Sequence, residues 1–175
     1  MELSILYALP HNSFLDSFFL FLTKITGSYA QLWLIIGVIL LIFKKTRKAG
    51  AAVLISYIGV MIFGHFILKH LISRPRPCQI DLDFPLLVER PTSSSFPSSH
   101  SGFSFGAATA IFMYHRKAGI AAFIVAALVA FSRLYLFMHF PTDVLVGSVL
   151  GIVMGFAAVK IVDRLFELRN KSAEG

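Results

Sequence analysis

Long apolar runs, broken by short basic clusters, repeat along this chain from about residue 14 to residue 162. Spanning a hydrocarbon core takes roughly 20 residues as a helix. The run from Phe14 to Leu22 is too short for that and predicts an interfacial or partly inserted helix over residues 14–24. After Gly27-Ser28, residues 29–43 form the first expected span, which stops at Lys44-Lys45-Thr46-Arg47-Lys48. A second span runs from about Ala49 to His70 and must end before Pro75 and Pro77, which remove donors and force extended backbone on the residues preceding them. A loop reaches to about Phe96. Pro97 opens a third span ending at Tyr114, a fourth runs from Ala118 to about Tyr135, and Pro141 opens a fifth that ends near Asp163. The expectation is an all-α polytopic transmembrane bundle of about five spans. It forms a single membrane-embedded domain over residues 1–175, with residues 164–175 as a cytoplasmic tail.

Composition agrees with a bilayer as solvent. Of the 175 residues, 57% are apolar and 14% charged, too few charges to keep a soluble domain of this size in water. The formal net charge of +7 lies in short clusters between apolar runs, so it offers a nucleic-acid duplex no basic face. Cys78 is the only cysteine, which leaves no internal disulfide and no thiolate metal cluster. Met1 to Pro10 carries Glu2 and no basic residue, so no cleaved leader is expected.

Five spans of alternating direction put the end of the second, the start of the third, the end of the fourth and the start of the fifth on one membrane face. The opposite face collects Lys44, Lys45, Arg47, Lys48, Arg116, Lys117, Lys160, Arg164, Arg169 and Lys171, ten of the sixteen cations. The positive-inside rule makes that face cytoplasmic. Gly102 and Gly106, and Gly147, Gly151 and Gly155, recur at intervals of four and would let the third and fifth spans approach closely.

Lys69, Arg76, His100, Arg133, His139 and Asp143 all fall at the four helix ends of the other face. Ionisable groups at membrane depth are costly, and six at one level make a site. Three cations and two histidines with few carboxylates describe a pocket for a doubly charged tetrahedral anion, and phosphate fits. Arg76 and Arg133 offer planar forks to its oxygens, and Lys69 a point charge. Pro97-Ser98-Ser99-His100 opens a helix, whose free N–H groups attract an anion. The Ser98 hydroxyl either adds a hydrogen bond to that anion or caps the helix. Asp143 lies one turn beyond His139 and can hold one ring nitrogen, leaving the other nucleophilic; a helix-start aspartate favoured by the dipole is the alternative, and the histidine decides between them.

These residues resemble the signature of the type 2 phosphatidic acid phosphatase superfamily, which also includes bacterial acid phosphatases and vanadium haloperoxidases. Its three parts read here as Lys69-His-Leu-Ile-Ser-Arg-Pro-Arg76-Pro77, Pro97-Ser98-Ser99-His100, and Ser132-Arg133-Leu-Tyr-Leu-Phe-Met-His139-Phe-Pro-Thr-Asp143. The resemblance implies metal-independent chemistry through a phosphohistidine. His139 would be the nucleophile, Asp143 its partner and His100 the acid that protonates the leaving oxygen. Lys69, Arg76, Ser98, Ser99 and Arg133 would bind the phosphate. Ser99 stands where the family usually has glycine, which costs backbone freedom near the phosphate.

By analogy with small bacterial members, the expected substrate is a polyprenyl (undecaprenyl) pyrophosphate handled on the extracytoplasmic face, with no cofactor and no metal. Phosphatidylglycerol phosphate, phosphatidic acid and a lipid A phosphate are the alternatives. A vanadate-dependent peroxidase and an anion transporter or channel are readings of other kinds; the latter needs polar groups continuing through the bundle. Asp81-Leu-Asp83 resembles a magnesium-phosphate pair but is more simply a solvated loop. His65 either braces the site or packs. Arg74 and Arg90 flank the pocket and could touch a second phosphate or a lipid headgroup, and the apolar stretch Phe84–Val88 could rest on the membrane.

Overall fold

The computed structural model of the protein describes residues 2–28 and 30–174. Tyr29, near the expected start of the first span, and Gly175, the end of the expected tail, lie outside the described residues. In chain order the helices are α1 (Glu2–Tyr7), α2 (Ser13–Thr26), α3 (Gln31–Ile42), α4 (Arg47–Val60), α5 (Lys69–Ile72), α6 (Pro77–Ile80), α7 (Ser99–Tyr114), α8 (Arg116–Tyr135) and α9 (Pro141–Glu174). A π-helical stretch, Met61–Leu68, joins α4 to α5 without a break. The fold is all-helical, as its apolar runs predict.

Among the described residues, Arg47–Ile80, Arg116–Tyr135 and Pro141–Ser172 are long and apolar enough to cross a membrane. The pair α2 and α3, bent by 51°, adds a fourth if it is one span. The first and third expected spans are therefore the ones that differ in length: α3 has 12 residues and α7 has 16. For α7 the reason is its position. It is packed by α4, α8 and α9, and its buried face carries Ser101, Gly102, Phe103, Ser104, Gly106, Ala107 and Ala108. Lipid is met instead by the outer faces of its neighbours, where Ile35, Ile39, Ile120, Ile124, Leu145 and Val149 are exposed.

Between helices in lipid, the hydrophobic effect supplies little, and close van der Waals contact must hold the bundle. The glycines provide it. A Cβ on Gly151 would lie 2.2 Å from the Gly102 carbonyl oxygen, and one on Gly147 would lie 2.4 Å from that of Ser98. This contact lets the Ser98 N–H donate to the Asp143 carbonyl at 3.0 Å, which locks the starts of α7 and α9 together. Beneath that junction the core is Val53, Val60, Phe103, Ala107, Ile111, Ala126 and Val162, with the Tyr57 and Phe103 rings stacked at 4.2 Å.

At the far end, Asp163 accepts from Lys48 Nζ at 3.0 Å and from the Tyr114 hydroxyl at 3.1 Å, and α9 continues past it to Glu174. The near end is roofed by α1 and α2. Asn12 caps α2 by accepting from Leu15 N at 2.9 Å, and Leu6 and Phe19 pack with Tyr135, Phe137 and Phe140. The apolar pattern predicts no element at α1. Phe84 stacks on Phe137 at 3.9 Å, with Leu86 and Val88 packed against the same cluster, so much of the stretch expected on the membrane turns inward to aromatic partners.

Replacing Gly151 by alanine is expected to force α7 and α9 apart and cost about 1–3 kcal/mol, the usual range for overpacking. Leu145→Ala, at a side chain 63% exposed, is the control. Thermal unfolding in detergent compares them, and equal midpoints would contradict the contact.

Candidate active site

Four helix ends meet at the roofed side and enclose a cavity of about 260 Å³ lined by Lys69, Arg76, Ser99, His100, Arg133 and His139, with Ser28, His65, Pro91, Ser93 and Met138. The sequence places each group there for a local reason. Lys69 lies in the last turn of the long helix that runs from Arg47 to Ile72. Pro75 and Pro77 turn the chain so that Arg76 points back over the bundle. Pro141 starts α9 right after His139.

The cations are buried without carboxylates of their own. Arg76, 6% exposed, donates to the carbonyls of Ser93 (2.8 Å), Met138 (2.9 Å) and Ser94 (3.2 Å) and to the Ser93 hydroxyl (3.1 Å). Arg133, 4% exposed, donates to the Ser132 hydroxyl at 2.9 Å and to the Thr23 hydroxyl on α2. Lys69 is 7% exposed and has no hydrogen-bond or ion-pair partner among the described residues. Neutral oxygens orient the guanidinium groups but leave their charge uncompensated, and a buried charge needs an opposite one. The cavity is built for an anion.

Hydrogen-bond partners fix the ring states. Arg76 Nη1 lies 3.1 Å from His139 Nε2, and a guanidinium only donates, so Nε2 carries the lone pair and Nδ1 the proton. Burial is the main cause that pulls the His139 imidazole down to about 3, with Asp143 acting the other way, so the ring is neutral at physiological pH. Nδ1 faces Asp143 Oδ2 at 3.8 Å, wider than a hydrogen bond. His100 Nε2 lies 2.9 Å from the Gly27 carbonyl, which only accepts; Nε2 is therefore protonated and Nδ1 is the ring's exchangeable position.

At the start of α7 the two serines divide. The Ser98 hydroxyl accepts from Ser101 N and pairs with the Ser101 hydroxyl at 2.9 Å, so it caps the helix and does not line the cavity. Of its two expected uses, the structure shows the cap. The Ser99 hydroxyl lines the cavity, buried and without a partner among the described residues. Asp143 is fully buried behind His139: Oδ2 accepts from Phe140 N at 2.8 Å and Oδ1 from Arg74 Nη1 at 2.8 Å. Arg74, read from sequence as a second phosphate or headgroup contact, thus binds a carboxylate instead. Arg90 donates to the Leu82 carbonyl at 3.0 Å. Asp81 accepts from the Tyr7 hydroxyl and from the N–H groups of Asp83 and Phe84, an Asx turn that orders the loop.

Three contributors were not legible: Thr23, Thr142 and Glu2. Each acts across a long sequence separation, and the one available hint was Glu2, a lone carboxylate in an otherwise uncharged opening segment.

The PAP2 superfamily profile matches residues 49–167. The chain is 34% identical over 148 residues to an undecaprenyl-diphosphatase of Sulfolobus acidocaldarius, covering 84% of this chain and 70% of that one. It is 29% identical to undecaprenyl-diphosphatase BcrC of Bacillus subtilis, covering 89% of this chain and 79% of that one. The crystal structure of a transmembrane PAP2 type phosphatidylglycerolphosphate phosphatase from Bacillus subtilis superposes with a TM-score of 0.72 at 29% identity, over 93% of this chain and 85% of that one.

The divided serines make separable expectations. Ser98→Ala should lower stability by about 0.5–2 kcal/mol through loss of the cap. Ser99→Ala should leave the unfolding midpoint in place and weaken binding of inorganic phosphate by about 0.5–1.5 kcal/mol, one hydrogen bond. Unfolding and calorimetric titration on both variants read the two effects.

Proposed function

The chain belongs to the PAP2 superfamily, and on that premise we propose that it hydrolyses a polyprenyl pyrophosphate at the membrane, without a metal, through a phosphohistidine at His139. One observation carries this reading: Lys69, Arg76 and Arg133 line one cavity with His139, whose lone-pair Nε2 faces Arg76, and no carboxylate lies in the cavity wall. Three uncompensated cations equal the three negative charges of a fully ionised pyrophosphate monoester, one more than a monoester dianion carries.

In the first step the Nε2 lone pair of His139 forms a bond to phosphorus. The P–O bond to the leaving group breaks with its electron pair on oxygen, which takes the Nδ1 proton of doubly protonated His100, the form that the phosphate anion beside the ring favours. The Gly27 carbonyl supports His100 while it carries that proton, since it holds the other N–H. Asp143 stabilises the charge that His139 gains, facing Nδ1–H. In the second step neutral His100 takes a proton from water, the water oxygen attacks phosphorus, and the P–N bond electrons return to Nε2. Lys69, Arg76, Arg133, the Ser99 hydroxyl and the α7 N–H groups that Ser98 organises bear the charge on the phosphoryl oxygens throughout. They supply the positive charge a metal would otherwise bring.

The transporter reading has little support. Below the cavity the interior holds Val60, Phe103, Ala107, Ile111 and Ala126, the buried hydroxyls of Ser104 and Thr109 are tied to Trp33 and to the Phe105 carbonyl, and the α4, α7, α8 and α9 sequences offer no charge until Lys48, Lys117, Lys160 and Asp163. Ten cations at that opposite end support a site on the extracytoplasmic face.

Leaving groups separate the two histidines. With excess chelator present, His139→Ala should abolish phosphate release from every substrate. His100→Ala should lose about 10²–10⁴-fold on phosphatidic acid, whose alkoxide leaves poorly, and distinctly less on farnesyl pyrophosphate or an aryl phosphate. Equal losses across leaving groups would overturn the roles, and abolition of wild-type activity by chelator would overturn the metal-free reaction.

Orientation needs its own probe because Cys78 is buried. In intact cells of a Cys78→Ser background, a membrane-impermeant thiol reagent should label Asp83→Cys and spare Lys45→Cys. The reverse pattern would turn the protein over.

A further inference from the structure

We infer that Arg74, braced by Glu2 of α1, is a positioning residue for the nucleophile: it fixes the Asp143 carboxylate that faces His139, which makes α1 part of the active-site scaffold. The inference rests on the phosphatase reading above.

Asp143 is held on both oxygens and from two directions. The N–H of Phe140 fixes Oδ2, the oxygen turned to His139, and Arg74 Nη1 fixes Oδ1. Arg74 is itself immobilised. Its Cζ sits 4.0 Å from the centroid of the Phe140 ring, Nη1 also donates to the Thr142 hydroxyl at 2.7 Å, and Nη2 donates to Glu2 Oε2 at 2.5 Å. Glu2 closes the ring: its Oε1 accepts from Thr142 N at 3.0 Å and from the Thr142 hydroxyl at 2.8 Å. Although burial acts to raise it, the hydrogen bonds from Arg74 and Thr142 hold the Glu2 carboxyl below its usual value, so it is ionised.

The arrangement does three things. It satisfies an N–H in the first turn of α9 that the helix cannot, so α9 starts in one place. It partly neutralises Asp143 from behind, which lessens the pull of this carboxylate on Lys69 and Arg76 in the cavity. It also divides the Arg74 charge between two carboxylates, which leaves Asp143 able to polarise the His139 N–H. Arg74 does not line the cavity, and both its terminal nitrogens are engaged, so it is not a phosphate ligand.

The test is steady-state kinetics on the full chain in detergent with farnesyl pyrophosphate, phosphatidic acid and phosphatidylglycerol phosphate, and inorganic phosphate as inhibitor. Arg74→Ala should lower kcat about 10–100-fold, as loss of a group orienting a reacting residue does. KM and phosphate inhibition should stay unchanged. Added guanidinium should restore part of the loss, and Arg74→Lys should restore less, because an ammonium cannot bridge both carboxylates in plane. Glu2→Ala should give a smaller fall in kcat and no further fall in the Arg74→Ala background. If Arg74→Ala does not fold, the kcat of Glu2→Ala decides. A wild-type kcat in the deciding variant, a raised KM, weaker phosphate inhibition or additive losses would each overturn the inference alone. A wild-type chain that releases phosphate from none of the three substrates would overturn the phosphatase reading and this inference with it.

Discussion

Three positive charges, those of Lys69, Arg76 and Arg133, are buried at the end of a membrane bundle with no carboxylate facing them, and the rest of the architecture answers to that constraint. Removing a cation from water is costly, and dipoles alone return part of the cost. The hydroxyls of Ser93, Ser132 and Thr23 and the backbone carbonyls of Ser93, Ser94 and Met138 supply those dipoles and fix the direction of the two guanidinium groups. Full compensation arrives only with an anion. Binding energy is therefore concentrated on the phosphoryl group, which is where charge changes during the reaction proposed here.

Holding such a set in register requires a rigid frame, and glycine contact provides it. Because α7 and α9 approach until backbone meets backbone at Gly102 and Gly151, their starts are fixed relative to each other. The helix start that lines the cavity and the helix start that carries Asp143 become one unit, joined through Ser98 N–H and the Asp143 carbonyl. A bundle separated by leucine-sized side chains would place His100 and His139 on independently moving elements. The two small-residue repeats, which carry no chemistry, thus set the geometry of the residues that do.

Much of this was legible in the sequence because the signals are local. Apolar runs gave the helices, prolines gave their ends, and alternating direction gathered six ionisable residues at one end, where the structure brings Lys69, Arg76, His100, Arg133 and His139 around one cavity with Asp143 behind His139. What was not legible depends on pairing across the chain. Arg74 reads as one more loop cation until Glu2 and Asp143 are found on either side of it, and those partners lie 72 and 69 residues away. Ser98 and Ser99 are indistinguishable as letters; helix geometry turns one hydroxyl into the cap and the other into the cavity. Likewise Phe84 looked lipid-facing, because nothing local reveals that Phe137 waits to stack on it.

The contact between Arg76 and His139 joins these strands of argument. One Arg76 N–H is directed at the Nε2 lone pair of His139, 3.1 Å away, so the atom proposed as nucleophile is covered by the group proposed to bind phosphate. An arriving phosphoryl oxygen, carrying full negative charge, is a far better acceptor than a neutral imidazole nitrogen, because charge-assisted hydrogen bonds are roughly twice as strong as neutral ones. Arg76 must then turn towards the oxygen, and the lone pair is released only when phosphorus is within reach. The same shift removes a positive charge from the edge of the His139 ring, which makes Nε2 more nucleophilic and lets the loose Nδ1–Asp143 pair close as charge develops. In the proposed reaction the nucleophile is thus uncovered by the substrate it attacks.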